Sequence, residues 1–245
     1  MTDWLIPDWP APAGVKSCVT TRAGGVSVAP FDSFNLGDHV DDNPEAVAAN
    51  RLRLTSNLGV QPAWLRQVHG VVVADADPRQ VVEADASFSD QSGVACTIMT
   101  ADCLPALFCD RAGSRVAAAH GGWRGLAAGI LEATVERMAV PASEILVWLG
   151  PAIGPGAFEV GPEVREAFIS THPETIEAFV PSRNPGKFVA DIYALARLRL
   201  AACGVTAVYG GGFCTVSDSR FYSYRRSART GRFASLVWIE QDASR

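Results

Sequence analysis

Short apolar runs alternate along this chain with polar or glycine-bearing segments, and the period of each run separates strands from helices. Val94–Thr100 and Leu104–Cys109 are nearly continuous apolar stretches of strand length, and Arg115–His120 and Ile145–Leu149 share that character. Val15–Arg22 reads as a first strand before a turn at Ala23-Gly24-Gly25. Trp64–Val68 and Val71–Ala74 read as extended segments interrupted at His69-Gly70, and Val205–Tyr209 and Ala234–Ile239 as late strands. A helical period predicts Pro44–Leu58, with Val47, Leu54 and Leu58 on one face and Gly59 as its stop. A second helix is expected over Leu126–Met138, with Ile130, Leu131, Val135 and Met138 on one side. Pro162–Ser170 opens on a proline whose missing N–H costs nothing there. Asp191 is placed to cap a last helix, Ile192–Ala202, which Gly204 ends.

Several consecutive strands between Trp64 and Asp110 have no helix among them, so the alternation is not that of a doubly wound parallel sheet. The expected class is α+β, with mixed sheets flanked by packed helices. No repeat, low-complexity tract or Pro/Gly/Ser-rich linker interrupts the chain, and residues 1–245 are expected to form one catalytic domain.

Composition narrows the function classes. At 48% hydrophobic and 19% charged over 245 residues, the chain can bury a sizeable core without disulfides. A net charge of −5 argues against a broad nucleic-acid-binding surface. The first residues lack the basic and apolar regions of an export signal, and the apolar runs are too short to cross a bilayer. The six cysteines contain no C-x-x-C pair and read as reduced thiols. The expectation is a cytoplasmic protein with no membrane or nucleic-acid partner.

Three segments carry candidate chemistry. In Thr100-Ala101-Asp102-Cys103-Leu104-Pro105 a polar pair interrupts two apolar strands. An isolated cysteine is more often a small core hydrophobe. Here Asp102 needs a partner if buried, and Pro105 is expected to kink the segment so that Cys103 sits at a strand end. In Ala119-His120-Gly121-Gly122-Trp123-Arg124-Gly125 a histidine ends a strand, glycines admit close backbone approach, and Arg124 adds positive charge suited to phosphate or carboxylate. The third is Gln67-Val68-His69-Gly70. The chain has four histidines: His172 precedes Pro173 in a polar stretch, and His39 sits in a loop able to line a pocket. His69, Cys103 and His120 remain as the soft-ligand set. Their separations of 34 and 17 residues are unlike the paired ligands of a zinc finger, and such ligands would converge from separate strand ends, as in an open catalytic site. Without a metal, Cys103 as nucleophile and His120 as base would instead make a cysteine hydrolase. The loop Gly150–Gly161, with Glu159, either closes over a site or is an ordinary turn. The Arg225, Arg226, Arg229 and Arg232 cluster either binds phosphate or, more commonly for such a run, forms a solvated face.

These segments resemble the YfiH family, also called the laccase-domain or polyphenol oxidase family. The matching stretches are Thr21–Ser27, Asn35-Leu36-Gly37, Gln67–Gly70, Thr100–Pro105, His120–Gly125, Leu149–Gly154, Phe221–Arg226 and Thr230-Gly231-Arg232, in order over nearly the whole chain. The resemblance implies a layered α/β/β/α sandwich and a metal, usually zinc, on His69, Cys103 and His120. It implies phosphorolysis of adenosine, inosine, guanosine or methylthioadenosine to free base and pentose 1-phosphate, together with adenosine deamination. A role in editing peptidoglycan precursors is also attached to the family. For that chemistry Cys103, His120, Asp102 and Arg124 are the expected catalytic group, Asp102 as proton shuttle or as a support behind the metal ligands. Arg124 with Gly121 and Gly122 is the expected phosphate cradle, with Arg22, Arg51 and Asn35 lining the same pocket. The partners are then small molecules, a purine nucleoside and phosphate, and the protein a monomer or small homo-oligomer. The family name also points to a copper polyphenol oxidase. A multicopper oxidase needs several histidine-rich centres, which four histidines do not furnish, so Cu2+ stays only as the alternative metal.

Overall fold

The computed structural model describes residues 3–241. Its strands are β1 (Val15–Val19), β2 (Gln61–Ala63), β3 (Leu65–Arg66), β4 (Val73–Asp75), β5 (Val82–Glu83), β6 (Ala86–Ser89), β7 (Val94–Thr100), β8 (Leu104–Asp110), β9 (Val116–Gly121), β10 (Ile145–Leu149), β11 (Glu159–Val160), β12 (Phe179–Pro181), β13 (Phe188–Ala190), β14 (Ala207–Gly210) and β15 (Phe233–Ile239). Its α-helices are α1 (Pro44–Leu58), α2 (Trp123–Ala128), α3 (Ile130–Met138), α4 (Pro162–Ile169) and α5 (Ile192–Ala202). None is long and apolar enough to cross a membrane.

Two mixed sheets dominate. One has four strands in the order β1-β15-β7-β2, the other six in the order β14-β10-β8-β9-β6-β4. Strand periodicity of two explains how they stack. In β8, Leu104, Ala106 and Phe108 face a core shared with Leu126, Ile130, Leu195 and Leu200 of the helices. The intervening Leu107 and Cys109 face Cys96, Ile98, Phe233 and Val237 of the other sheet. The outer face of the four-stranded sheet, including Met99 and Leu236, packs on Leu54 of α1. Three apolar cores therefore separate four layers, α/β/β/α. All seven residues of β8 are buried, which is why this strand reads as a continuous apolar run and not an alternation.

Helix ends follow the expected chemistry. Asn43 accepts from the Glu45 N–H, Gly59 closes α1 in the left-handed region, and Asp191 accepts from the N–H groups of Tyr193 and Ala194. Three expectations change. The helix expected over Leu126–Met138 is two helices, because Gly129 adopts a φ of 106° and breaks the turn between α2 and α3. The first strand stops at Val19, and the Arg22 N–H bonds the Arg220 carbonyl across a loop. Pro105 makes no kink: it pairs with His120 inside β8, and its carbonyl accepts from Gly150. What places Cys103 is the crossover 101–103, where the chain leaves the four-stranded sheet at β7 and joins the six-stranded one at β8.

Candidate metal centre

Three chain reversals meet at this crossover. His69 lies in the turn between β3 and β4, Cys103 in the crossover, and His120 near the end of β9. Their ligand atoms lie within 4.8 Å of one another, and no other such cluster occurs among the described residues. Cys103 Sγ is 3.8 Å from His69 Nε2, and the two imidazole centroids are 4.7 Å apart at 71°. His69 (φ 63°) and Asp102 (φ 96°) both hold left-handed backbone without being glycine, at a cost of order 1–3 kcal/mol each. Gly122 is needed beside them: a Cβ there would stand 2.5 Å from His69 Cδ2 and 3.3 Å from Cys103 Sγ.

Asp85, which no sequence motif marked, holds this arrangement together. It is fully buried between β5 and β6. Its Oδ1 accepts from His120 Nδ1 at 2.8 Å and from the His69 N–H at 2.8 Å. Its Oδ2 accepts from the N–H of Gly70 at 2.6 Å and of Val68 at 3.2 Å. A carboxylate opposite Nδ1 fixes the proton there, so His120 presents Nε2 to the cluster. Burial works against the charge of Asp85, but the bonds from His120, Gly70 and His69 prevail and hold its pKa below the ordinary value.

Electrostatics favour a thiolate. Burial opposes ionisation of Cys103, yet the charge of His120 and bonds from His120 and His69 outweigh it and bring the thiol down to about 6. Burial likewise opposes protonation of His120, but Cys103 and Asp85 raise it to about 9. Burial instead pushes Cys18, Cys96 and Cys109 up to about 12. In metal-free protein, alkylation of Cys103 by iodoacetamide, followed by peptide mapping, is therefore expected to rise through about pH 6, because the thiolate predominates above its pKa. Bound metal should protect the thiol. A Cys103 that stays inert until the pH of an ordinary cysteine would contradict this ion pair.

The other expected site residues are placed differently. Asp102 faces the cavity, but its Oδ1 accepts from Thr215 Oγ1 and its Oδ2 from the Arg225 N–H, both at 2.6 Å. It ties the crossover to the C-terminal segment. Arg124 is exposed and stacks on Trp123 at 4.4 Å, because the start of α2 turns its side chain outward. Arg22 pairs with Asp32; Arg51 pairs with Asp38 and lies over Trp64 at 4.2 Å. Asn35 is fully buried in loop contacts. None of these four lines the cavity. At Gly121 and Gly122 an added Cβ would meet Leu104 and His69, so both positions need glycine for this close packing. Glu159 is engaged with Ser182 and Asn184, and His172 with Glu174. From the arginine cluster, Arg225 and Arg232 reach the cavity. Arg226 instead donates to the carbonyls of Thr215, Val216 and Phe221, and Arg229 lies over Phe31.

The cavity itself measures about 370 Å³, within the range of small-molecule sites. His69, Cys103 and His120 form one wall. Met99, Ile153, Phe158 and Ile192 give it apolar surface, with Trp123 and Tyr224 adding aromatic rings. His39, Gln67, Arg225 and Arg232 supply polar and cationic groups. Two imidazoles and a readily ionised thiol suit zinc or copper, and a carboxylate behind one imidazole is the usual support of a ligating histidine. The residues present therefore fit a transition metal with room for a further ligand.

Known proteins match this chain over nearly its full length. A curated purine nucleoside phosphorylase from Pseudomonas aeruginosa is 72% identical over 241 residues, covering 98% of this chain and 100% of the relative. The purine nucleoside phosphorylase YfiH of Escherichia coli is 52% identical over 244 residues, with coverage of 98% and 100%. The crystal structure of a Neisseria meningitidis protein superposes with a TM-score of 0.95 at 53% identity, covering 98% of this chain and 100% of that one. Residues 16–240 match the family model described as multi-copper polyphenol oxidoreductase laccase, and the chain thus belongs to that family, the laccase-like YfiH family.

Proposed function

We propose that this chain is a metal-dependent purine nucleoside phosphorylase with adenosine deaminase activity, with zinc as its metal and its 245 residues acting as one catalytic unit. The curated names of its relatives support the first activity. The observation that carries the reading is the cavity, whose lining combines a soft-donor cluster, two arginines and apolar and aromatic side chains. A purine nucleoside has a flat apolar base and a polar sugar, and its co-substrate is an anion.

A zinc ion on His69, Cys103 and His120 would supply a Lewis acid at the cavity wall. The remaining work falls to side chains. Met99, Ile153, Phe158 and Ile192 exclude water from the base, and Trp123 and Tyr224 offer ring faces to it. In phosphorolysis a phosphate oxygen bonds to C1′ of the sugar while the C1′–N9 bond breaks and the base leaves with its electron pair and gains a proton. Positive charge from Arg225 and Arg232 holds the attacking anion close to the sugar. Asp102, whose two oxygens already accept hydrogen bonds, serves as the tie that keeps Arg225 beside the cluster.

Metal-loaded protein incubated with inosine and phosphate is expected to release hypoxanthine and ribose 1-phosphate in equal amounts. With adenosine and no phosphate, inosine and ammonia should accumulate. Base release no greater than that of a Cys103→Ala control would overturn the phosphorylase reading. Turnover of a diphenol by copper-loaded protein, with none of inosine, would favour the oxidase suggested by the family name.

A further inference from the structure

We propose that Arg232 is the anion-binding residue of the cavity, the side chain that receives the phosphate co-substrate, and that Asn35 and Gly37 form its mount. This rests on the phosphorylase reading and assigns the phosphate a place within it.

Among the described residues, the arginines outside the cavity that carry ion pairs include Arg22, Arg51, Arg137, Arg199 and Arg220. Arg232 has no carboxylate within 4.0 Å among the described residues. It is half-buried against the metal cluster. Burial depresses its charge, and the groups that support that charge are Cys103, Asp102 and Tyr224. Its Nη1 donates to the carbonyls of Thr230 and Gly231 at 3.1 and 3.0 Å. No protein acceptor among the described residues takes its Nε or Nη2, which leaves two donors of a planar fork suited to a phosphate edge. The second cavity arginine differs. Arg225 commits Nη1 to the Ala157 carbonyl and Nη2 to the Glu159 carbonyl, so it contributes charge more than donors. His39, which also lines the cavity, is held below its ordinary pKa by burial and by the charge of Arg232, which favours its neutral form.

A half-buried cation whose nearby negative groups make no direct ion pair with it is costly, and an anionic ligand in contact would relieve that cost. The chain also fixes its position closely. The Arg232 N–H donates to Asn35 Oδ1 at 2.8 Å, and the Leu36 N–H donates to the Arg232 carbonyl at 3.1 Å. Asn35 Oδ1 also accepts from the Gly37 N–H, while its Nδ2 donates to the Gly37 carbonyl and to Asp42. A Cβ at position 37 would stand 2.8 Å from Cγ of Arg232 and displace its stem. Asn35, expected to line the pocket, instead holds with Gly37 the arginine that does.

The test is steady-state kinetics of inosine phosphorolysis on the metal-loaded full chain, with phosphate and inosine varied separately. It is paired with calorimetric titration of inorganic phosphate into the same protein. Arg232→Gln should raise the phosphate KM about ten- to hundredfold, the loss of a charged hydrogen bond, while the inosine KM moves less than about threefold, below that scale. Arg232→Lys should fall between, and Gly37→Ala should shift the phosphate KM in the same direction. Unaltered metal content and melting temperature of Arg232→Lys separate this from misfolding. Equal shifts in both KM values, or phosphate titrations identical for wild type and Arg232→Gln, would overturn the assignment. If wild type released no base yet bound phosphate in an Arg232-dependent way, the phosphorylase reading would fall and the anion site would stand.

Discussion

Cys103→Ala protein is expected to fold and yet to hold no stoichiometric metal. The side chain is half-buried in the 101–103 crossover, and its sulfur contacts His69 at 3.8 Å without anchoring any strand. Removing it should cost about 1 kcal/mol of stability, the centre of the range for single substitutions. Its chemical contribution is larger. The thiol ionises near pH 6 beside His120, so it offers a metal an anionic soft donor at neutral pH. Loss of a supporting residue behind a ligand already weakens metal affinity about 10–100-fold, and loss of the ligand should weaken it by more. Elemental analysis after dialysis, with a melting curve on the same sample, reads both effects. Full metal occupancy in Cys103→Ala would remove the cluster from consideration as the metal site.

The reach of the sequence ended where function depends on residues far apart in the chain. His69, Cys103 and His120 stood out because scarce soft side chains interrupt apolar strands, and the structure brings them within 4.8 Å. Mixed sheets with packed helices were legible in runs such as Val94–Thr100, buried over nearly its whole length, whereas the α/β/β/α layer order was implied only by the family resemblance. Sequence proximity put Arg124 at the expected phosphate cradle, and the structure leaves it outside the cavity lining. Arg124 is four residues from His120, but the direction of α2 lays it on Trp123 outside the cavity. Arg232 lies at the far end of the chain and reaches the site because β15, which it precedes, pairs with β7, the strand leading to Cys103. The Arg225–Arg232 run looked like a solvated face because nothing in a linear pattern shows that Arg226 folds back onto main-chain carbonyls while Arg232 turns inward. Asp85 was invisible for a different reason. Three of its four partners are backbone N–H groups, which carry no side-chain signature.

Asp85 also carries the second large expected effect, and two substitutions separate its contributions. Asp85→Ala removes the acceptor of four hydrogen bonds from a fully buried position and leaves the N–H groups of His69 and Gly70 and the His120 Nδ1 proton without it. Breaking a buried charged pair from one side costs about 3–5 kcal/mol, a large share of the stability of an ordinary domain, and Asp85→Ala should accumulate poorly or melt far below wild type. Asp85→Asn keeps the volume. Its amide offers one acceptor oxygen where two carboxylate oxygens served, and an NH2 must face either His120 or the Val68–Gly70 turn. The His120 proton is then no longer pinned to Nδ1, and zinc affinity should fall about 10–100-fold, measurable by chelator competition. The pH dependence has a definite sign. A carboxylate whose folded pKa is depressed contributes stability that is complete above its unfolded pKa and is lost as the pH falls through the folded one. The stability gap between wild type and Asp85→Asn, read from urea unfolding of metal-free protein, should thus be full at neutral pH and narrow below about pH 4, near the unfolded value for aspartate. A gap that widened in acid, or an Asp85→Asn protein that held zinc as tightly as wild type, would mean that the Val68–Gly70 turn and His120 keep their places without this carboxylate.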